Sequence, residues 1–357
     1  MSKQFHRIDR DILKIVALDF FDSDRKALLL YKNGFSSHVD IAFNTFEKLV
    51  VDNEGGDSII DGEPLNRYFV EFKKYHGDDG KYSEKLVAEA LQGKGIFFGE
   101  PKPLISEVIF RTLQTHILLM SGLHSMHVAV QKCQGNDPVA SHASWDKSVG
   151  LLIGSTQSVS DTNIDTIISN RKPASSIHGL ALEMCGIFDT CSPSGNAKIN
   201  EHLFELYHKG NNYVEAKNCV ELAKHIRERI VPSLFVPLVQ GTIHYASLVE
   251  NGDVSSQDEA RGGAFALAQS IVPFVKNETL ADQISNLNAL SKITPRNAES
   301  VLTSFAHALP EMKIDCKDIG TIKGLVVNDL CLDEKTSTTE TSLSDGLYIT
   351  TTFVEDR

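Results

Sequence analysis

The sequence predicts an all-α protein made of two diverged, pseudo-symmetric helical-bundle units from an internal duplication. Three observations carry this expectation. Apolar residues recur at helical spacing: Ile105, Ile109, Leu113, Ile117, Met120, Leu123 and Val130 trace one face of a long helix over 103–132. Three blocks occur twice in the same order. They are 86–93 (LVAEALQG) with 203–210 (LFELYHKG), 118–130 (LLMSGLHSMHVAV) with 237–249 (PLVQGTIHYASLV), and 145–155 (WDKSVGLLIGS) with 259–269 (EARGGAFALAQ). Their offsets of 117, 119 and 114 drift as loop insertions and deletions make them drift. Finally, Gly122 and Gly241 fall at equivalent mid-helix places. Glycine there costs roughly 1 kcal/mol against alanine, and close approach of another helix is the simplest compensation.

The elements follow in order. Two short helices, 9–17 and 25–32, occupy an N-terminal segment 1–60, the second stopping at Asn33-Gly34. The Gly- and Asp-rich stretch 52–63 reads as a loop. A first helical unit, 61–155, holds helices at 65–75, 83–92 with Gly93 as its stop, 103–132 and 143–153. Residues 156–200, rich in Ser, Thr, Asn, Pro and Gly, read as an irregular connector. The second unit, 201–330, holds helices at 201–209, 213–230, 232–250, 258–276, 280–290 and 296–309. The tail 331–357 has the composition of a flexible segment.

Charge and composition narrow the function. The 357 residues carry a formal net charge of −12, spread along the chain without blocks. Nucleic acid and anionic membrane both need basic patches, so neither is an expected partner; a cation is. Two stretches, 112–131 and 230–249, lack charge for the length of a membrane span. The first contains three His and two Gln, the second Pro232, Pro237, Gln240 and His244, so both read as core helices and no transmembrane segment is expected. The first residues lack the apolar core of a signal peptide. Six cysteines permit three disulfides without demanding them. Asn277-Glu278-Thr279 is the one N-glycosylation sequon. The standard nucleophile, phosphate-loop, dinucleotide and zinc motifs are all missing, so binding is expected rather than catalysis.

Polar groups interrupt the apolar helices at matching places. His124 and His127 stand at i, i+3 with His116 two turns earlier, a stripe that can ligate a metal or serve as hydrogen-bonded core histidines. His244 and Tyr245 occupy the corresponding turn of the second unit. His142 and Asp146 open the next helix of the first unit, and Asp258 and Glu259 open its counterpart. Carboxylates there are ligands or complements to the helix dipole. Lys147 and Arg261, one turn further, either clamp an anion accompanying a metal or are solvated.

Four segments resemble a known family: 144–155 (SWDKSVGLLIGS), 185–191 (CGIFDTC), 236–246 (VPLVQGTIHYA) and 258–275 (DEARGGAFALAQSIVPFV). They are similar to the algal low-iron-inducible periplasmic proteins, the iron-assimilatory family that includes the phytotransferrins. The resemblance spans about residues 10–330. It implies an extracellular, periplasmic or cell-surface protein that binds Fe(III) for assimilation, with carbonate as synergistic anion and a receptor or transport partner. The implied metal ligands are Asp146, Asp258, Glu259 and Tyr245, with His124, His127, His142 and His244 in reserve, and Lys147 or Arg261 on the anion. It also implies disulfides, Cys185–Cys191 being the local pair. Val149, Leu152 and Gly263 stand where the family has aromatics, and Lys147 stands where it has an acidic residue, with Arg261 at a similar place in the second unit. Those departures favour the alternative, a surface structural or interaction module without metal binding. A metal-dependent hydrolase is a third reading, permitted by the His stripe alone.

Overall fold

A computed structural model describes residues 8, 11–17, 24–34, 59–60, 63–64, 67–77, 80–154, 175–251, 254–290 and 298–322. The tail at 331–357 and most of the expected loop at 52–63 lie outside the described residues. Within them the protein is all-α. Strand pairing is confined to Ile59–Ile60 against Glu63–Pro64, with one isolated bridge between Cys191 and Ala197. No described helix is long and apolar enough to cross a membrane.

Helix α1 covers residues 11–17, and α2 (Asp24–Asn33) stops at Gly34, whose φ of 66° and N–H on the Leu30 carbonyl close the last turn. After α3 (Arg67–Tyr75), helix α4 (Tyr82–Leu91) ends at Gly93, φ 56°, the expected stop. The long helix expected over 103–132 is one continuous run with an interruption inside it. Helix α5 (Lys102–Arg111) opens with Pro103, passes into a π-helix (Thr112–Leu118), and resumes as α6 (Leu119–Gln134). Asp137 caps α7 (Pro138–Ile153) by accepting from the Ala140 N–H at 3.1 Å.

The stretch 156–200 contains a helix that its composition conceals. In α8 (Ile177–Cys185), Ile177, Leu180, Ala181 and Met184 share a buried face, and Ser176 caps the first turn. Packing overrides local composition here. Helix α9 (Lys198–Glu215) runs straight through Gly210, past residue 209 where the sequence pattern ends a helix. The Trp145 ring lies so close to Gly210 that any Cβ would collide with it, so this glycine admits a neighbour instead of ending a helix. Asn218 then caps α10 (Cys219–His225), followed by a second π-helix (Ile226–Ile230), α11 (Val231–Asn251), α12 (Val254–Ile271), α13 (Glu278–Leu287), α14 (Ala298–Ala308) and the short α15 (Cys316–Ile319).

Two helical hairpins organise the core, α6 with α7 and α11 with α12. Each is joined through its mid-helix glycine. A Cβ on Gly122 would lie 2.7 Å from the Leu152 side chain of α7, and one on Gly241 would lie 2.7 Å from Leu267 of α12. Both hairpins meet α8, α9 and α14 in the largest apolar cluster, while a second cluster unites α1, α2, α4, α5 and the first π-helix. Cys133–Cys219 ties the end of α6 to the start of α10, and Cys185–Cys191 closes the turn after α8. Cys316 is disulfide-bonded as well.

Candidate functional site: a buried charged centre

Helix α5 is apolar around one i, i+4 pair, Glu107 and Arg111, which therefore lie on one face. Both are almost fully buried, at 1% and 3% exposure, so their charges must be answered inside the protein. Arg111 Nε donates to Glu107 Oε1 at 2.7 Å. Its Nη1 donates to Gln114 Oε1 at 2.8 Å, and its Nη2 to Glu183 Oε1 of α8 at 2.7 Å and to the Tyr245 hydroxyl of α11. The Tyr245 hydroxyl in turn faces Glu107 Oε1 at 2.9 Å and Glu183 Oε1 at 3.4 Å. The guanidinium carbon stands 5.0 Å from the Phe110 ring centre and 5.2 Å from that of Tyr245.

The backbone explains how four elements meet here. The π-helix begins directly after Arg111, and its extra residue per turn carries Gln114 back toward the guanidinium. Gln114 Nε2 also donates to the Ser176 carbonyl at 3.0 Å, tying the π-helix to the start of α8 and so to Glu183. On the other side, the pair Gly262-Gly263 lets α12 in. A Cβ on Gly262 would strike the Leu104 carbonyl of α5, and one on Gly263 would lie 2.8 Å from the Tyr245 ring.

Formally the centre holds one cation and two carboxylates, a net charge of −1 with Tyr245 neutral. Burial alone would lower the Arg111 pKa, but Glu183, Tyr245 and Glu107 raise it well above its ordinary value, so the guanidinium stays charged. Burial raises the Tyr245 pKa, and the two glutamates add to this against Arg111. The phenol is therefore protonated at neutral pH. Glu183, at 29% exposure, is the edge of the centre that reaches solvent. His244 is electrostatically coupled to the same groups. Burial lowers its pKa, Glu183 opposes that and Arg111 adds to it.

Of the residues singled out in the sequence, Tyr245 is inside this centre and His244 adjoins it. The others are elsewhere or differently engaged. His127 is stacked on Tyr68 with ring centres 5.8 Å apart, and burial pushes its pKa down to about 3 with His124 adding to the effect. His116 holds the Ala266 carbonyl at 2.9 Å and Ser83 at 3.4 Å, a core histidine. Asp258 pairs with Arg261 at 3.2 Å, and Arg261 also reaches Glu100 at 3.3 Å and the Leu290 carbonyl at 2.9 Å. His142, Asp146 and Lys147 are half-buried on α7, and Glu259 is exposed on α12. Among the described residues, no three His, Cys, Asp or Glu side chains form a group able to hold a metal ion. Arg111, Glu107, Gln114 and Glu183 were not singled out. Their one signal is the Glu107–Arg111 pair inside an apolar helix, bordering the charge-free stretch.

Fold and site together define a class: an all-helical protein with a buried arginine–carboxylate–tyrosine centre where α5, the first π-helix, α8 and α11 meet. Comparison with family models, curated proteins and solved structures gives no match to this chain.

Proposed function

We propose that this chain binds ferric iron for assimilation, outside the cell or at its surface, and that the Arg111 centre is where it does so. The observation that carries this reading is the convergence of the Tyr245, Glu107 and Glu183 oxygens on one point. Fe(III) is a hard cation and takes phenolate and carboxylate oxygens. The Tyr245 hydroxyl donates to Glu107 Oε1 at 2.9 Å, so the phenol and this carboxylate would reach one ion together. In the ion-free protein the Arg111 guanidinium fills the cationic role. With iron bound, Tyr245, Glu107 and Glu183 would hold the ion and Arg111 would pair with a carbonate, a charge-assisted contact. Tyr245 must then lose a proton that burial otherwise retains, so affinity falls in acid. Cys133–Cys219, Cys185–Cys191 and the disulfide-bonded Cys316 fit an oxidising compartment.

Titration with Fe(III), with and without bicarbonate, tests this. The expected result is a coloured complex with an iron–phenolate absorption band, stronger with bicarbonate and lost in Tyr245→Phe. A folded wild-type protein that binds no Fe(III) in either buffer sinks the proposal. That result would leave the second reading, a surface interaction module, which the engagement of all three Arg111 nitrogens by protein acceptors favours.

A further inference from the structure

The sequon at Asn277 is placed where it can be modified, and we infer that Asn277 carries an N-linked glycan. Asn277, Glu278 and Thr279 are all exposed, and they lie at the junction between an irregular segment, 275–277, and α13. An enzyme acting on the side-chain amide can therefore reach it without unfolding a helix. The segment is also held in one place. Glu311 Oε1 accepts from the Lys276 N–H at 2.8 Å and the Asn277 N–H at 3.2 Å.

The side chain's own bonding divides its two polar atoms. Asn277 Oδ1 caps α13, accepting from the Thr279 N–H at 3.0 Å and the Leu280 N–H at 3.2 Å. Nδ2 takes no part in the cap. Glycosylation uses only that second atom: Nδ2 attacks C1 of an oligosaccharide carried on a polyprenyl diphosphate. A C–N bond forms, the C–O bond to the diphosphate breaks, the lipid diphosphate leaves, and Nδ2 gives up one proton. The carbonyl oxygen is untouched, so the glycan and the helix cap coexist. The independent observation is the disulfides, Cys133–Cys219 and Cys185–Cys191. Disulfide formation and N-glycosylation of sequons belong to the same secretory route in cells that have one.

The test is expression of the full chain behind a secretion leader in a eukaryotic host, read on the disulfide-bonded pool by intact and peptide mass spectrometry. One glycan is expected on the peptide containing Asn277, removed by peptide amidase with conversion of the residue to Asp. Two variants separate modification from folding. Asn277→Asp keeps an oxygen for the cap, and Thr279→Ala keeps the backbone donors, so both should fold like the wild type and lack the glycan. An unmodified Asn277 peptide in the disulfide-bonded wild-type pool would overturn the inference, as would a glycan surviving in either variant.

Discussion

The α6–α7 and α11–α12 hairpins share one packing device and differ in the polar groups around them. Both pack a leucine of the second helix onto a mid-helix glycine of the first, Leu152 on Gly122 and Leu267 on Gly241. Both first helices follow a π-helix. Carried along the offset of 119 that aligns 118–130 with 237–249, Glu107 and Arg111 correspond to Ile226 and Ile230, and Tyr245 corresponds to Met126. Those three counterparts are buried and apolar. Ile226, Ile230 and Met126 thus belong to an ordinary apolar core, whereas Glu107, Arg111 and Tyr245 form a charged centre. The difference is that buried polar groups must find partners from several elements, whereas buried apolar groups need only fill space.

This gives the largest expected effect. Arg111→Met leaves Glu107 ionised and buried without its cation, which costs about 3–5 kcal/mol in urea unfolding. The double variant Glu107→Ile/Arg111→Ile puts at these positions the residues found 119 places further on, and should recover most of that loss, because a buried ion pair replaced by apolar groups is often neutral or better. Glu183 keeps its own access to solvent, so it does not suffer as Glu107 does. Additive losses in the double variant would show that the two regions are not interchangeable in this way.

A finer comparison concerns the glycines. Alanine gains roughly 1 kcal/mol of helix propensity at either site, opposed by about 1–3 kcal/mol of overpacking. At Gly122 both Leu152 Cγ and Cδ2 stand 2.7 Å from the new carbon, whereas at Gly241 only the Leu267 Cδ1 methyl does. Thermal unfolding should therefore show Gly122→Ala losing more, by about 1–2 kcal/mol, than Gly241→Ala. Equal losses would mean that Leu152 turns aside as easily as Leu267.

The first hairpin's histidine predicts a pH effect. His127 has a pKa near 3 in the fold against about 6.5 unfolded. The unfolded chain therefore binds more protons between those values, and the stability contribution is complete above about pH 6.5 and falls as pH drops. His116 and His178, lowered by burial to about 4, act the same way. His127→Leu should flatten the stability–pH slope by up to about 1.4 kcal/mol per pH unit between pH 6 and 4. An unchanged slope would place that titration elsewhere.

How much of this was legible depends on the range of the interactions. Helix positions and the stops at Gly34 and Gly93 follow from local pattern. The helix expected at 201–209 runs on through Gly210, and the partner of that glycine, Trp145, is remote in sequence. The π-helix also hides from periodicity, since one extra residue per turn over 112–118 barely disturbs an apolar stripe. Tyr245 was visible as a polar group in an apolar helix. Its partners were not, because Glu183 is separated from Arg111 by 72 residues and lies in a stretch whose composition reads as irregular.

The smallest expected effect is the most informative about function. Tyr245→Phe keeps the ring that fills the space above Gly263 and removes only the hydroxyl. Arg111 and Glu107 retain their direct 2.7 Å contact, so neither charge is stranded. The loss in urea unfolding should be about 1 kcal/mol, the net worth of an ordinary buried hydrogen bond. If the centre were purely structural, nothing else would change. If it holds iron, the same substitution removes a ligand oxygen and the absorption band with it, while stability barely moves. A loss above about 3 kcal/mol would mean that the hydroxyl helps hold the charges in place, and Tyr245→Phe could then no longer separate binding from folding.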